Sequence, residues 1–191
     1  MIALVQRLRA VFWEVFFLVP MGRATTLEGL AADEIEAVFE RLTRLSREDR
    51  CVVKMTEAPH YRRYLHQQGQ PSTAMNLGRH WVESGHGRIG LSPQPINAGK
   101  GHLFVSCQGD ISPSGFLPLV AGNIRRDRLA AVYREAPLFR DLRDPSRLKG
   151  RCGACEFRMV CGGSRARAWA VTGDYLEEDP ACAHQPAARP C

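Results

Sequence analysis

Four cysteines within one short stretch set the strongest limit on how this chain can fold. The run reads Cys152-Gly-Ala-Cys155-Glu-Phe-Arg-Met-Val-Cys161-Gly-Gly, continues through Ser164 to Thr172, and closes on Cys182. The gaps between the four are two, five and twenty residues. Thiolates are the usual ligands of iron–sulfur clusters, and hydrogen bonds to the sulfurs help set a cluster's potential. Gly162 and Gly163 lie directly behind the third thiol, where residues without a Cβ let backbone N–H groups come close to a cluster. The expected metal ligands are Cys152, Cys155, Cys161 and Cys182, holding one 4Fe–4S cluster.

Three other uses of the thiols compete. Disulfides need an oxidising compartment. The apolar run from Val11 to Met21 contains Glu14, lacks a good cleavage site behind it, and falls short of the ~20 residues a membrane span needs, so the cytoplasm is the expected location. Structural zinc accepts four thiolates as well, but its ribbons usually show two tight pairs, and here one tight pair is followed by two single thiols. Free cysteines used as small hydrophobes need no such grouping.

On these residues the chain resembles the radical SAM enzymes that carry a SPASM domain. The run from Cys152 to Cys182 is similar to the second auxiliary cluster site of that domain. The family's hairpin, Gly-x4-Cys, corresponds to Gly109-Asp-Ile-Ser-Pro-Ser114, with serine in the ligand position. Arg165 stands where a further Cys is expected, and the Cys that should precede Gly109 is missing too. Three ligands of the first auxiliary cluster are therefore lost together while all four of the second remain, the pattern of a shortened, single-cluster SPASM domain. Cys107 falls outside the pattern and reads as a spare thiol.

The N-terminal part alternates strand and helix. Residues 2–10 have helical character. Phe12 to Val19, closed by Pro20-Met-Gly-Arg23, reads as a strand buried on both faces. Leu27 to Leu45 carries apolar residues at helical spacing, Leu30, Ile35, Val38, Phe39, Leu42 and Leu45 among them. Cys51 to Thr56 is a second strand, Glu57 to His60 its exit loop, and Tyr61 to Gln68 another helix. This is a βαβ unit, hence an α/β fold (α+β over the whole chain). Chemistry in barrels of such units sits at the carboxyl ends of strands, which here are Gly22, Arg23, Glu57 and His60. The plainer alternative for Glu57 and His60 is a capped turn with a surface histidine. The phrases from Phe16 to Arg23 and from Thr56 to Arg63 look like late barrel strands of the alternative haem and haem d1 pathway enzymes, and that resemblance implies a cofactor-binding role for the four residues.

The expected organisation is a partial βα-barrel segment over 1–68, a polar Gly/Pro-rich linker or insertion over 69–100, a SPASM-like hairpin-plus-helices cluster domain over 101–185, and a tail over 186–191. Within the third part a hairpin joins residues 102–106 to 111–113, Asn123 is a candidate helix cap, and short helices follow over 128–135 and 138–143, with Leu129, Val132, Tyr133, Leu138, Phe139 and Leu142 as core. Arg165 to Val171 is the helix of the cysteine segment.

Charge and missing motifs bound the function. The formal charge is +6, yet no RNA-binding signature or basic helix with interleaved aromatics appears, so no nucleic-acid partner and no membrane are expected. Arg147, Arg151, Arg158, Arg165 and Arg167 gather around the cysteines, where they would offset a thiolate-ligated cluster or meet an acidic substrate. No Cys-x3-Cys-x2-Cys loop is present, so the chain alone lacks radical chemistry. It reads as the C-terminal portion of a longer enzyme. The resemblance implies S-adenosylmethionine as cofactor in the full-length enzyme, an electron-donor protein, a tetrapyrrole or peptide substrate, and the missing N-terminal barrel half as partner. A zinc-stabilised binding module and a stand-alone electron carrier are the alternatives.

Overall fold

The computed structural model describes residues 1–48, 51–69 and 96–187. A helix, α1 (Ile2–Arg7), precedes the strand β1 (Phe12–Phe16), and a 3₁₀ turn over Gly22–Thr26 leads to the long helix α2 (Ala32–Glu48). Strand β2 (Val52–Thr56) then pairs in parallel with β1, Phe12 opposite Val52 and Phe16 opposite Thr56. Helix α3 (His60–Gln67) follows. The mixed α/β character expected for this part is present, with α2 as the crossover between parallel strands.

Periodicity explains α2. Ile35, Phe39, Leu42 and Leu45 lie on one stripe and are all buried, Phe39 completely. Glu34 reaches back to accept from the Ala31 N–H at 2.8 Å, covering one donor that the first turn leaves open. Phe39 packs its ring against Phe17, His60 and Tyr61 at centroid distances of 5.5, 5.0 and 5.1 Å. Burial of a side chain of that size stabilises by ~1.5–3 kcal/mol. This core also takes in Val53 and Met55 of β2 and, from the far end of the chain, Ala181.

Two expectations fail here. Leu30 is not core: it lies before the helix and is 51% exposed. Nor is β1 buried on both faces, since Phe12 and Phe16 are exposed at 39% and 60%. Only β2 pairs with β1 among the described residues, so no described strand borders its other edge. Glu14, which breaks the apolar run, is held by Lys54 across the ladder at 2.6 Å.

The second part builds on a three-stranded antiparallel sheet, β3 (Phe104–Val105), β4 (Asp110–Ser112) and β5 (Gly122–Asn123), with β4 central. Asn123 is therefore a strand residue. Its Nδ2 donates to the Gln108 carbonyl and to Asp110, while helix α4 (Leu129–Glu135) starts after Arg128. Helix α5 (Pro137–Arg143) buries Phe139 and Leu142, whereas Leu129 is 43% exposed and outside the core. A short helix α6 (Gly150–Ala154) and the helix α7 (Arg165–Thr172) complete the chain. Most of 69–100 lies outside the described residues; Ala98 is buried in a second core with Val19, Leu117, Leu142 and Ala166. Val19 belongs to the N-terminal part, so the two parts share a core.

Candidate metal centre

The short helix α6 carries Cys152, and Cys155 caps its C-terminus in extended backbone. Cys161 follows a turn in which its own N–H donates to the Phe157 carbonyl at 2.9 Å. Cys182 comes from beyond α7, on a turn in which its N–H meets the Asp179 carbonyl at 3.2 Å. The four line one partly open concavity, together with Arg63, Arg151, Arg158, Gly162, Gly163 and His184. All six cysteines of the described residues are free thiols. Cys51 sits in the N-terminal core and Cys107 is exposed on the β3–β4 turn; neither lines this concavity.

Donors converge on the sulfurs. The backbone N–H groups of Phe157, Gly163 and Asp179 point at Cys155, Cys161 and Cys152 at 3.4, 3.3 and 3.4 Å. Arg165 Nη2 lies 3.6 Å from the Cys152 sulfur and Arg63 Nη2 3.7 Å from that of Cys182. Gly163 has φ +63°, and a Cβ there would come within 2.8 Å of the Asp179 Cβ and 3.0 Å of the Cys152 sulfur. Burial pushes the Cys155, Cys161 and Cys182 thiols above their ordinary range, Cys161 most strongly. Donors aimed at thiols that resist ionisation suit a bound cation, which is what turns such thiols into thiolates. The residues therefore fit a thiolate-ligated metal group. Among the described residues, one set of three potential ligand atoms lies within 4.8 Å of one another, that of Cys155, Glu156 and His184; the four thiols are not drawn into such a knot.

The arginines divide by role. Arg165 is 2% exposed, fills the place where a further cysteine was looked for, and donates to the Tyr175 and Glu177 carbonyls. Arg63 forks onto Glu36 of α2. Arg147 pairs with Asp141 at the surface, and neither it nor Arg167 lines the concavity. Ser114 does local work: its Oγ accepts from the Phe116 N–H at 3.1 Å.

Behind the thiols lies a buried network that sequence reasoning missed. Asp179 is fully buried; its carboxylate accepts from the Ser164 N–H at 2.7 Å, from the Ala181 N–H at 3.1 Å and from Arg167 at 3.1 and 3.2 Å. Burial raises its pKa, but the Arg167 charge and these donors outweigh burial and hold it low. Arg167 also donates to the Leu18 carbonyl at 3.0 Å and to the Glu57 carbonyl at 2.6 Å. Ser164 caps α7 through the Arg167 N–H and gives its hydroxyl to Glu57 at 2.7 Å. Burial raises the pKa of Glu57. One available signal was Ser164, a polar residue just ahead of a helical run.

The four strand-end candidates separate. Glu57 and His60 enter this network, whereas Gly22 and Arg23 sit exposed on the 3₁₀ turn. His60 is no surface histidine: it is fully buried, its Nδ1 stops 3.6 Å from Asp179, and both ring nitrogens lack a hydrogen bond. Burial lowers its pKa to about 4, so the ring is neutral near pH 7 and Arg167 carries the charge pairing with Asp179.

A protein of Methanosarcina barkeri named AdoMet-dependent heme synthase is 40% identical over 183 residues, 96% of this chain and 51% of that protein. The chain is a relative of the AdoMet-dependent heme synthases. A protein of that name from Oleidesulfovibrio alaskensis is 35% identical over 193 residues, 98% of this chain and 47% of the relative. The pre-heme d1 synthase of Dinoroseobacter shibae is 38% identical over 89 residues, 44% of this chain and 22% of that protein. The resemblance to the alternative haem and haem d1 pathway enzymes, drawn from the phrases Phe16 to Arg23 and Thr56 to Arg63, thus agrees with the names of the relatives. This chain spans about half the length of the heme synthases it matches. No protein-family model matches it. No helix among the described residues is long and apolar enough to cross a membrane.

Proposed function

We propose that this chain is the portion of a radical SAM enzyme that carries one auxiliary 4Fe–4S cluster, in an enzyme that modifies tetrapyrrole side chains. The convergence of Cys152, Cys155, Cys161 and Cys182 on one concavity, with N–H donors aimed at three of the sulfurs, supports this reading. When bound, such a cluster supplies one-electron chemistry at a potential set by its surroundings. The chain's own residues do the rest. Arg63 and Arg165 place positive charge beside two sulfurs, Gly163 keeps the space open, and the Arg167–Asp179 pair fixes the N–H that Cys152 receives.

S-adenosylmethionine would belong to the longer enzyme, with Gly22 and Arg23 exposed to meet a cofactor and Glu57 and His60 as positioning residues. An electron-donor protein and the other barrel half would be its partners. Zinc is the weaker reading, because a tetrahedral site with sulfurs at ~2.3 Å from the metal draws all four to within ~3.8 Å of one another, and these thiols are not so gathered.

Anaerobic reconstitution of the purified chain tests the proposal. It should take up about four iron and four sulfide per chain. Cys152→Ala, Cys155→Ala, Cys161→Ala and Cys182→Ala should each lower that content, and Cys107→Ala should leave it unchanged. Stoichiometric zinc without iron, or equal loss from Cys107→Ala, would overturn it.

A further inference from the structure

The rim of the thiol site carries a second group of ligand-type atoms. Glu156 follows Cys155 directly, and His184 comes two residues after Cys182, so the loops that place two of the thiols also place these side chains. The His184 Nε2 lies 3.0 Å from the Glu156 carboxylate. With the Cys155 sulfur they make up the set of three atoms that lie within 4.8 Å of one another.

His184 is held as a metal-binding ring is held. It lies beyond α7, the last helix, yet its side chain is only 14% exposed. Gln67 Nε2 stands 3.3 Å from its Nδ1, and Phe157 meets the ring edge-on at a centroid distance of 5.3 Å. His66 backs Phe157 in turn at 5.4 Å. Arg151 ties down the chain just ahead by donating to the Cys182 carbonyl at 2.9 Å. A partner on the second ring nitrogen is the usual way a ligating histidine is oriented. A surface ion pair between His184 and Glu156 contributes little to stability, so it does not account for a ring braced at both nitrogens with a thiol beside it.

The chemistry of the three atoms selects the ion. A thiolate and a carboxylate bring two negative charges, which a divalent cation answers. Arg63 and Arg151, which line the same concavity, are already matched by Glu36 and Glu178. Among the described residues no lysine or arginine pairs with Glu156. Sulfur, nitrogen and oxygen together suit zinc, whereas magnesium and calcium take oxygen ligands. Zinc holds its ligand atoms ~3–4 Å apart, so the His184–Glu156 side already fits and the whole set closes by roughly 1 Å. Three protein ligands leave the fourth position to water.

We propose that Cys155, Glu156 and His184 bind a single zinc-type divalent cation in the chain that carries no cluster. Cys155 cannot serve this ion and a cluster at once. Zinc bound here therefore withholds one of the four thiols, and the ion and the cluster exclude each other. The ion site stands on its own three residues; only the exclusion rests on Cys155 being a cluster ligand.

The test uses the metal-free, reduced full chain under anaerobic conditions, with cobalt(II) as the spectroscopic probe and zinc as the competitor. The parent should take up about one cobalt, with a thiolate-to-metal charge-transfer band of the strength of one sulfur. His184→Ala and Glu156→Gln should each raise the cobalt Kd about tenfold or more, and Cys107→Ala should leave it unchanged. His184→Gln, which keeps a polar side chain facing Gln67, should bind as poorly as His184→Ala and so separates ligand loss from misfolding. One equivalent of zinc added before iron and sulfide should block most iron uptake by the parent. In His184→Ala the same zinc should block little, each chain being compared with itself without zinc. A cobalt band of the strength of four sulfurs, or no cobalt uptake, would overturn the site. So would zinc inhibition that persists in full in His184→Ala, which would put the ion on the four cysteines. If cobalt binding depends on His184 but the parent takes up no iron, the cluster assignment fails and the ion site stands.

Discussion

Two glycines with similar backbone angles have different reasons to exist. Gly163 (φ +63°) and Gly173 (φ +78°) both lie where L side chains are strained, yet a Cβ at Gly163 meets Asp179 and Cys152 while one at Gly173 meets nothing within 4 Å. Gly173→Ala should cost about 1 kcal/mol, the backbone strain alone. Gly163→Ala should cost about 2–3 kcal/mol and at least halve iron uptake, because the sulfur must move. Urea denaturation with an iron assay separates the two. His60 gives the pH dependence. Its folded pKa of about 4 lies below the ordinary histidine value of 6.5, so as pH falls through that window the unfolded chain takes up a proton that the folded chain refuses. The stability is whole above the upper value and is lost on descending toward the lower. At ~1.4 kcal/mol per unit, roughly 2 kcal/mol should be gone by about pH 5. His60→Phe should flatten that slope. An unchanged slope in denaturation midpoints at matched pH values would show that His60 is not the group responsible.

Strand β1 is the element with unfinished pairing. Its residues alternate into the ladder with β2 on one side, and among the described residues its other edge meets no strand. Exposed Phe12 and Phe16 flank that edge, and edges of this kind recruit other strands unless a charge blunts them. Light scattering should therefore report concentration-dependent association of the chain, reduced in Phe16→Lys. An element with a full period was legible from sequence: α2 falls near its expected position because several turns repeat the same apolar signal. The two-residue strand β5 and the five-residue helix α6 were not, because neither is long enough to display a period, and Asn123 looked like a cap for want of any sign of its strand partner. The four thiols that line the concavity were legible because ligand spacing is local.

At the scale of the molecule, the thiol site is not confined to the cysteine segment. Asp179, Ser164 and Arg167 tie it to Leu18 and Glu57, contacts that no local pattern announces because their partners are remote in sequence. The expected division at 68 and 101 accordingly does not separate two cores: Val19 and Ala181 each pack with the opposite part. Arg167 gives this a consequence for how the protein reaches its fold. Its two clamps close chain segments of 149 and 110 residues, and contacts so distant in sequence form slowly, after most of the loop-closure entropy has been lost. Cys152, Cys155 and Cys161 lie within one local loop, and the turn bearing Cys182 is tied to the same part through Asp179, which Ser164 and Arg167 hold from 15 and 12 residues away. The thiol segment is therefore expected to gain hydrogen-exchange protection before the contacts to Leu18 and Glu57 close.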